Sequence, residues 1–536
     1  MGGNPFTEAK AVAVLRRRRV TEQIRPIRPG ALVAAAAAVT VLGAVGVLPR
    51  WAGLLHMVAL PPLDLIADLR VLMVVAPSPA VFAAGVAACL TVRITVLTLL
   101  LGGFDRRLLA YAARWYLVML PLALVAAALP VGSGATLYYG LFWMGMIAAL
   151  AAVAFTAAAL WAAPPRLARG FAEAARHGFR LGTVGAYLVA LALLGAVADL
   201  TRPVGPVALV PVSALLTLAA IRFLRADPGL RMARRTLAGA GAALAALLAA
   251  VMAAGPTSPP LAPEPATPRR GSLMLMSGVD SSSGNGAILE IDPHHLGYTC
   301  GQTYYFSYAG PGSGQPRNAA LCPITTGAPY RPRHTLRPTD QLISGLAAQL
   351  TGLPPPVVLI THSQGVWITW EAALRHRLPQ GAVLVLVGPF PDNPVPYPPQ
   401  GQHGTGWPAA VVTWLISRLA RPGGTSVFTP DAPLGREWLA HPTAIEKTLA
   451  GRLPPHMRAL SVPSAFDTPL MPDGPTLKHA ANLCPIPVIH PHVPYSAEFQ
   501  RSVTRFLDHQ PQPPCPLWRH AMGPVFRAFS APSWDA

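Results

Sequence analysis

The chain is 536 residues long, 52% of them apolar and 12% charged, with a formal net charge of +19. Such length and apolar content exclude a single soluble domain, and the low charge density excludes a disordered polyelectrolyte. The positive excess would suit nucleic acid. Most of it, however, lies in an amino-terminal tail and in connections between apolar runs, so membrane topology explains it and no nucleic-acid partner is implied.

Residues 1–30 form a basic tail holding Lys10, Arg16, Arg17, Arg18, Arg19, Arg25 and Arg28. Residues 31–254 read as a transmembrane α-helical bundle, because their apolar runs of about 17 to 25 residues match what a helix needs to cross a bilayer core. Seven spans are expected: Ala31 to Leu48, Ala80 to Gly103, Leu108 to Leu129, Thr136 to Ala163, Thr183 to Ala198, Pro206 to Ile221 and Thr236 to Ala254. Excess Lys and Arg near span ends mark the cytoplasmic side, which puts the amino terminus inside. Alternation then places Arg106 with Arg107, the stretch from Arg166 to Arg180 and that from Arg222 to Arg235 inside, and each is basic. Connections expected outside carry only Arg50, Arg70 and Arg202. Seven crossings leave the carboxyl-terminal half extracytoplasmic, as expected of a multi-pass plasma-membrane protein with membrane lipids as partners.

The apolar stretch from Trp51 to Ala76 is broken by Pro61, Pro62, Asp64, Asp68 and Arg70. A full crossing there would reverse every later basic connection, so a re-entrant or interfacial hairpin is expected. Arg93, about halfway along the second span, needs a partner in hydrocarbon, and Asp64 or Asp68 of that hairpin can supply it.

Residues 255–271, GPTSPPLAPEPATPRRG, form a Pro-rich linker that should be extended. Beyond it, residues 272–510 alternate apolar strand-like runs with helical patterns, the signature of an α/β domain with a parallel sheet. An insertion at about residues 391–456 carries Trp407, Trp414 and Trp438 and is long enough to be a lid or a packed subdomain. A Pro-rich, basic-aromatic tail occupies residues 511–536, and a loosely ordered terminus is expected. Cys89 falls inside a span, whereas Cys300, Cys322, Cys484 and Cys515 all fall in the outer half. An even set in an oxidising space suggests disulfides. Sequence proximity favours Cys300 with Cys322 and Cys484 with Cys515, although four cysteines permit other connectivities.

The segment VVLITHSQGVWITW, Val357 to Trp370, sets Ser363 between a β-branched run and a helix-compatible stretch, with Gly365 two positions on. That is the strand, sharp turn and helix of a nucleophile elbow. A serine hydroxyl needs a histidine to take its proton, and the histidine needs a carboxylate to orient it. Downstream, Asp467 follows one apolar run, and His490 and His492 follow the next, in the order Ser, Asp, His. Asp392, after the neighbouring run, is an alternative acid. His294 and His295 have no cysteine or carboxylate at ligand spacing, so no metal is assigned, and no motif implies a cofactor.

From Gly271 to His509 the chain thus resembles the α/β-hydrolase superfamily, and within it lipases and esterases whose elbow reads H-S-x-G. The resemblance covers the outer half only. It implies an α/β-hydrolase fold with a lid and an esterase- or lipase-like serine hydrolase that cleaves an acyl ester or thioester. Ser363 would be the nucleophile, Asp467 the acid and His492 the base, with His490 as the alternative. Gln364 would give one oxyanion-hole N–H and Val279 the other, with Asp280 next to it as second choice. Thr361, where the family has Gly or another small residue, departs from the pattern. The competing expectation is a non-catalytic membrane protein whose degenerate hydrolase domain binds lipid or a protein partner.

Overall fold

The computed structural model describes residues 27–136, 139–159, 181–225, 267–391, 398, 401–420, 431–438, 442–471 and 475–532. The first half is helical. It comprises α1 (Gly30–Ala44), a single 3-10 segment at Ala52–Val58, α2 (Leu63–Val75), α3 (Pro79–Leu101), α4 (Arg106–Thr136), α5 (Tyr139–Ala159), α6 (Leu181–Leu200) and α7 (Val210–Arg225). Four stretches are long and apolar enough to cross a membrane: Pro79–Leu101, Arg106–Gly134, Thr183–Leu200 and Gly205–Leu224. Gly30–Ala44 and Gly140–Val153 are apolar but shorter. The span expected at Thr236 to Ala254 lies outside the described residues, as do residues 255–266 of the linker. Side chains such as Val33, Leu117, Val118, Met144, Ile147 and Leu193 stand exposed on the outer faces of these helices, the pattern of helices that face hydrocarbon rather than water.

The proline-broken stretch forms a buried helical hairpin. Irregular backbone at membrane depth is tolerated only where protein surrounds it, and Ala52–Val58 and nearly all of α2 are indeed buried. Its acids hold Arg93 as expected. Arg93 Nε donates to Asp68 Oδ2 at 2.6 Å and Nη2 to Asp68 Oδ1 at 2.5 Å, while Nη1 donates to the Met57 carbonyl. Asp64 lies 3.9 Å from Arg93 Nε and accepts a hydrogen bond from the Tyr116 hydroxyl at 2.5 Å.

The second half is built on a sheet of six parallel strands in the order β2–β1–β3–β4–β5–β6: β1 Ser272–Met276, β2 Thr303–Tyr305, β3 Val357–His362, β4 Val383–Val387, β5 Arg458–Val462 and β6 Ala481–Asn482. Both faces are covered, so the central strands are apolar throughout, and successive side chains divide between two cores. Met274, Met276, Leu359, Leu384 and Leu386 enter one; Leu275, Val358, Ile360, Val385, Val387, Leu460 and Val462 enter the other. Each such fully buried side chain contributes about 1.5–3 kcal/mol. Helices α8 (Thr339–Leu350) and α9 (Gln364–Leu374) connect the middle strands, and α13 (Ala497–Leu507) closes the second face. The winding reverses between β1 and β3, which opens a crevice at their carboxyl ends.

The two halves pack directly. The core around Met274 and Met276 continues into Phe142, Trp143 and Met146 of α5. The insertion does not form the expected lid in its described part. Its helix α10 (Trp407–Ala420) leaves the sheet and packs on α2 and α4, with the Gly404 N–H donating to the Pro77 carbonyl and Ile416 reaching Gly132. The remainder, α11 (Pro433–Trp438) and α12 (Pro442–Ala450), packs on the domain itself, where Trp438 stacks on Trp367 at 4.9 Å.

The expectation of a loose carboxyl terminus is overturned. Helix α14 (Leu517–Arg527) lies against α6 and the segment that carries Asp467, Phe526 packs edge-on to Trp143 at 5.4 Å, and Arg527 pairs with Asp199 at 2.9 Å. Proline and basic residues read as a solvated tail, but Phe526 and Phe529 between them are buried. Both favoured cysteine pairs are joined, Cys300 with Cys322 and Cys484 with Cys515, the second tethering this tail to the sheet.

Candidate active site

The carboxyl ends of β1, β3, β4, β5 and β6 converge on one place. Ser363 follows β3 directly and precedes α9, with φ 55° and ψ −121°, a left-handed conformation that a non-glycine residue adopts only when its surroundings impose it. The constraint is visible. The Ser363 N–H donates to the Val387 carbonyl at 2.9 Å, which extends the β3–β4 ladder into the turn, and its carbonyl accepts from Val366 as α9 begins. Gly365 packs closely, since a Cβ there would lie 3.3 Å from Met276 Cγ and 3.4 Å from both the Ser277 carbonyl and Thr361 Cβ. Thr361, the departure from the family pattern, is accommodated fully buried.

Asp467 sits in a 3-10 segment, Ala465–Leu470, just beyond β5. The loop from β6 is stitched to it: the Ser464 hydroxyl donates to the Val488 carbonyl at 2.7 Å, and the Ala465 and Ile486 N–H groups donate to the Ile486 and Pro463 carbonyls. This register brings His490 to the acid. His490 Nδ1 and Asp467 Oδ2 are 2.6 Å apart, with the aspartate side chain 1% exposed. Of the two histidines, the alternative is therefore the one paired with Asp467, and His492 stands instead beside Tyr495, its Nδ1 buried without a hydrogen-bond partner. Asp392 lies outside the described residues.

His490 is held by its neighbours. Its ring lies 4.6 Å from that of His362 and 4.8 Å from that of Phe390, and a Cβ on Gly388 would come within 2.4 Å of it. Because His362 immediately precedes Ser363, these contacts place the imidazole beside the elbow. Among the described residues His490 Nε2, which is buried, has no hydrogen-bond partner, and the Ser363 hydroxyl has none either. Bonds between nucleophile and base commonly close only when substrate is bound.

The loop after β1 abuts the serine on its other side. A Cβ on Gly278 would sit 2.8 Å from Ser363 Cβ and 3.0 Å from the His362 carbonyl. Val279 follows directly, and its N–H makes no hydrogen bond to any described residue; Gln364, as the first residue of α9, has no acceptor for its N–H within the helix. Thr335 ties the loop after β1 to the start of α9. The Gln364 side-chain Nε2 donates to the Thr335 carbonyl at 2.5 Å, and the N–H of Asp280, the second-choice donor, donates to the Thr335 hydroxyl at 3.4 Å. Thr335, His362, Gly278 and Gly388 were not singled out from sequence, where nothing but their neighbourhood to the elbow and to strand ends marks them.

Burial, and then the neighbouring His490, hold the His362 imidazole well below its ordinary value, so it is neutral at pH 7. An unfolded histidine takes a proton below about pH 6.5, so the unfolded state binds more protons there and stability falls as pH drops. Wild-type protein should lose stability at up to about 1.4 kcal/mol per pH unit from this group between about pH 6.5 and 5. In His362→Gln the melting temperature should fall less over that range; an unchanged profile would refute the burial argument.

Among the described residues no group of histidines, cysteines and carboxylates is arranged to hold a metal ion. Comparison with known proteins found no matching family model, no similar curated protein and no similar solved structure.

Proposed function

We propose that the outer half is a serine hydrolase that cleaves an ester or thioester of an acylated lipid or cell-envelope component. The observation that supports this most is an elbow serine, Ser363, next in sequence to His362, whose ring meets that of His490, itself paired with the buried Asp467 from a different strand end. In this reading His490 takes the Ser363 proton as Oγ bonds to the acyl carbon, and Asp467 steadies the imidazolium. The oxyanion is met by the Gln364 and Val279 N–H groups. Collapse breaks the bond to the alcohol or thiol, which leaves with the proton from His490, and water then releases the acid from the acyl-enzyme.

The spans form a seven-crossing bundle in this proposal, with the amino terminus cytoplasmic and the hydrolase outside. Docking supports that orientation. Pro77, Gly132, Trp143 and Asp199, which touch the outer half, all lie at the helix ends assigned outside by charge, whereas Arg106, Arg107 and Arg222 lie at the opposite ends.

The open Ser363 to His490 contact favours a second reading, a fold that binds lipid or a protein without turnover. Full-length protein in detergent decides between them. A fluorophosphonate should label wild type but not Ser363→Ala, and p-nitrophenyl ester turnover should fall by about 10³-fold or more in that variant. Absence of both labelling and turnover in folded wild type would leave the binding reading.

A further inference from the structure

Polar groups buried among membrane helices need partners, and most of those in the hairpin have them. Asp68 holds Arg93, Tyr116 holds Asp64, Thr217 and the Leu60 N–H meet Tyr187, and Ser213 donates to the Leu55 carbonyl. Arg70 does not have them. It is 1% exposed, and its Nε and Nη1 are buried with no hydrogen-bond partner among the described residues. Among the described residues the buried carboxylates of this half are committed elsewhere, Asp64 and Asp68 to Arg93 and Asp199 to Arg202 and Arg527. A guanidinium left so is strongly unfavourable.

Two more nitrogens on the same hairpin are orphaned. Trp51 Nε1, just before the 3-10 segment packed on α2, and His56 Nε2, within it, are buried without partners among the described residues. Arginine and tryptophan nitrogens can only donate, so Arg70 and Trp51 need acceptors, and Arg70 a negative charge, that no described residue supplies. The carboxyl-terminal segment closes over it: the Phe529 ring lies 4.8 Å from His56, and the space beside Gly53 is filled by the Trp51 indole and the Ala528 carbonyl.

We propose that Arg70, with His56 and Trp51, forms a buried binding site for the oxyanion head group, phosphate or carboxylate, of a membrane amphiphile. An oxyanion supplies acceptors only, matches the arginine fork in two parallel hydrogen bonds, and removes the uncompensated charge. Its chain would run among the apolar helices that surround the hairpin. The site is independent of hydrolysis at Ser363.

The test uses full-length protein in neutral detergent, with melting read after adding dioleoyl phosphatidic acid, oleate or inorganic phosphate. Wild type should gain melting temperature with phosphatidic acid or oleate, the stronger one identifying phosphate or carboxylate, and gain little with inorganic phosphate. Arg70→Gln and Arg70→Met should lose that gain, with apparent affinity down about tenfold or more. Arg70→Met should melt no lower than wild type before any addition, because it removes an unpaired buried charge. No response of wild type to either amphiphile, or an undiminished response in both variants, overturns the proposal; so does a gain with inorganic phosphate equal to that with the amphiphiles. Should neither variant fold, His56→Gln combined with Trp51→Phe must weaken the response, and an unweakened response overturns it equally.

Discussion

Replacing His490 with Ala should lower ester turnover by about 10³-fold or more, whereas His492→Ala should stay within a few-fold of wild type. The two histidines are separated by a single proline, yet only His490 reaches Asp467, at 2.6 Å. Asp467→Asn should be comparably damaging, because an amide in place of the carboxylate can present its N–H to Nδ1 and reverse the tautomer that must accept the serine proton. In double variants the losses should not add, since the three groups act as one device. Initial rates with p-nitrophenyl esters, on variants shown by circular dichroism to be folded, are the measurement. An inactive His492→Ala beside an active His490→Ala would overturn the assignment of the base.

Gly278→Ala should cost about 10²-fold or more in turnover while leaving the fold intact. A methyl group there would meet Ser363 Cβ at 2.8 Å and the His362 carbonyl at 3.0 Å, and both belong to the constrained elbow, so the loop after β1 has to retreat. Retreat carries the Val279 N–H away from the place where the oxyanion forms, and loss of one such donor typically costs about 10²–10³. Gly345 is the control, because a Cβ there meets nothing within 4 Å and Gly345→Ala should be neutral or slightly stabilising. Equal activity in the two variants would show that the loop after β1 has no part in the reaction.

Orphaned donors around Arg70 and the docking of α10 and α14 give the helical half two roles beyond anchorage. It is the surface on which the outer half is seated, through Asp199 with Arg527 and through Gly132 against Ile416. That seating also explains why Phe526 and Phe529 of the tail are buried without covering the crevice: they pack on the helical half, Phe526 on Trp143 and Phe529 on His56.

Much of this was legible in the chain itself, because local patterns carry their own physics. Apolar runs of bilayer length, the basic connections between them, the prolines and acids of the hairpin, the strand–Ser–helix elbow and the order of Ser363, Asp467 and the histidines need no tertiary information. Arg93 demanded a carboxylate, and the nearest were on the hairpin. What only the tertiary structure decided were choices between near neighbours and contacts between distant segments. His490 rather than His492 follows from how the Ser464 to Val488 hydrogen bond registers two loops, which depends on strand pairing far away in sequence. The same holds for Thr335, which binds both candidate oxyanion loops although it lies more than twenty residues from either. The helix of the insertion and the terminal helix have compositions that fit a lid, a headgroup or a protein surface equally well. Burial selects among those, and burial belongs to the whole fold, not to any segment of it.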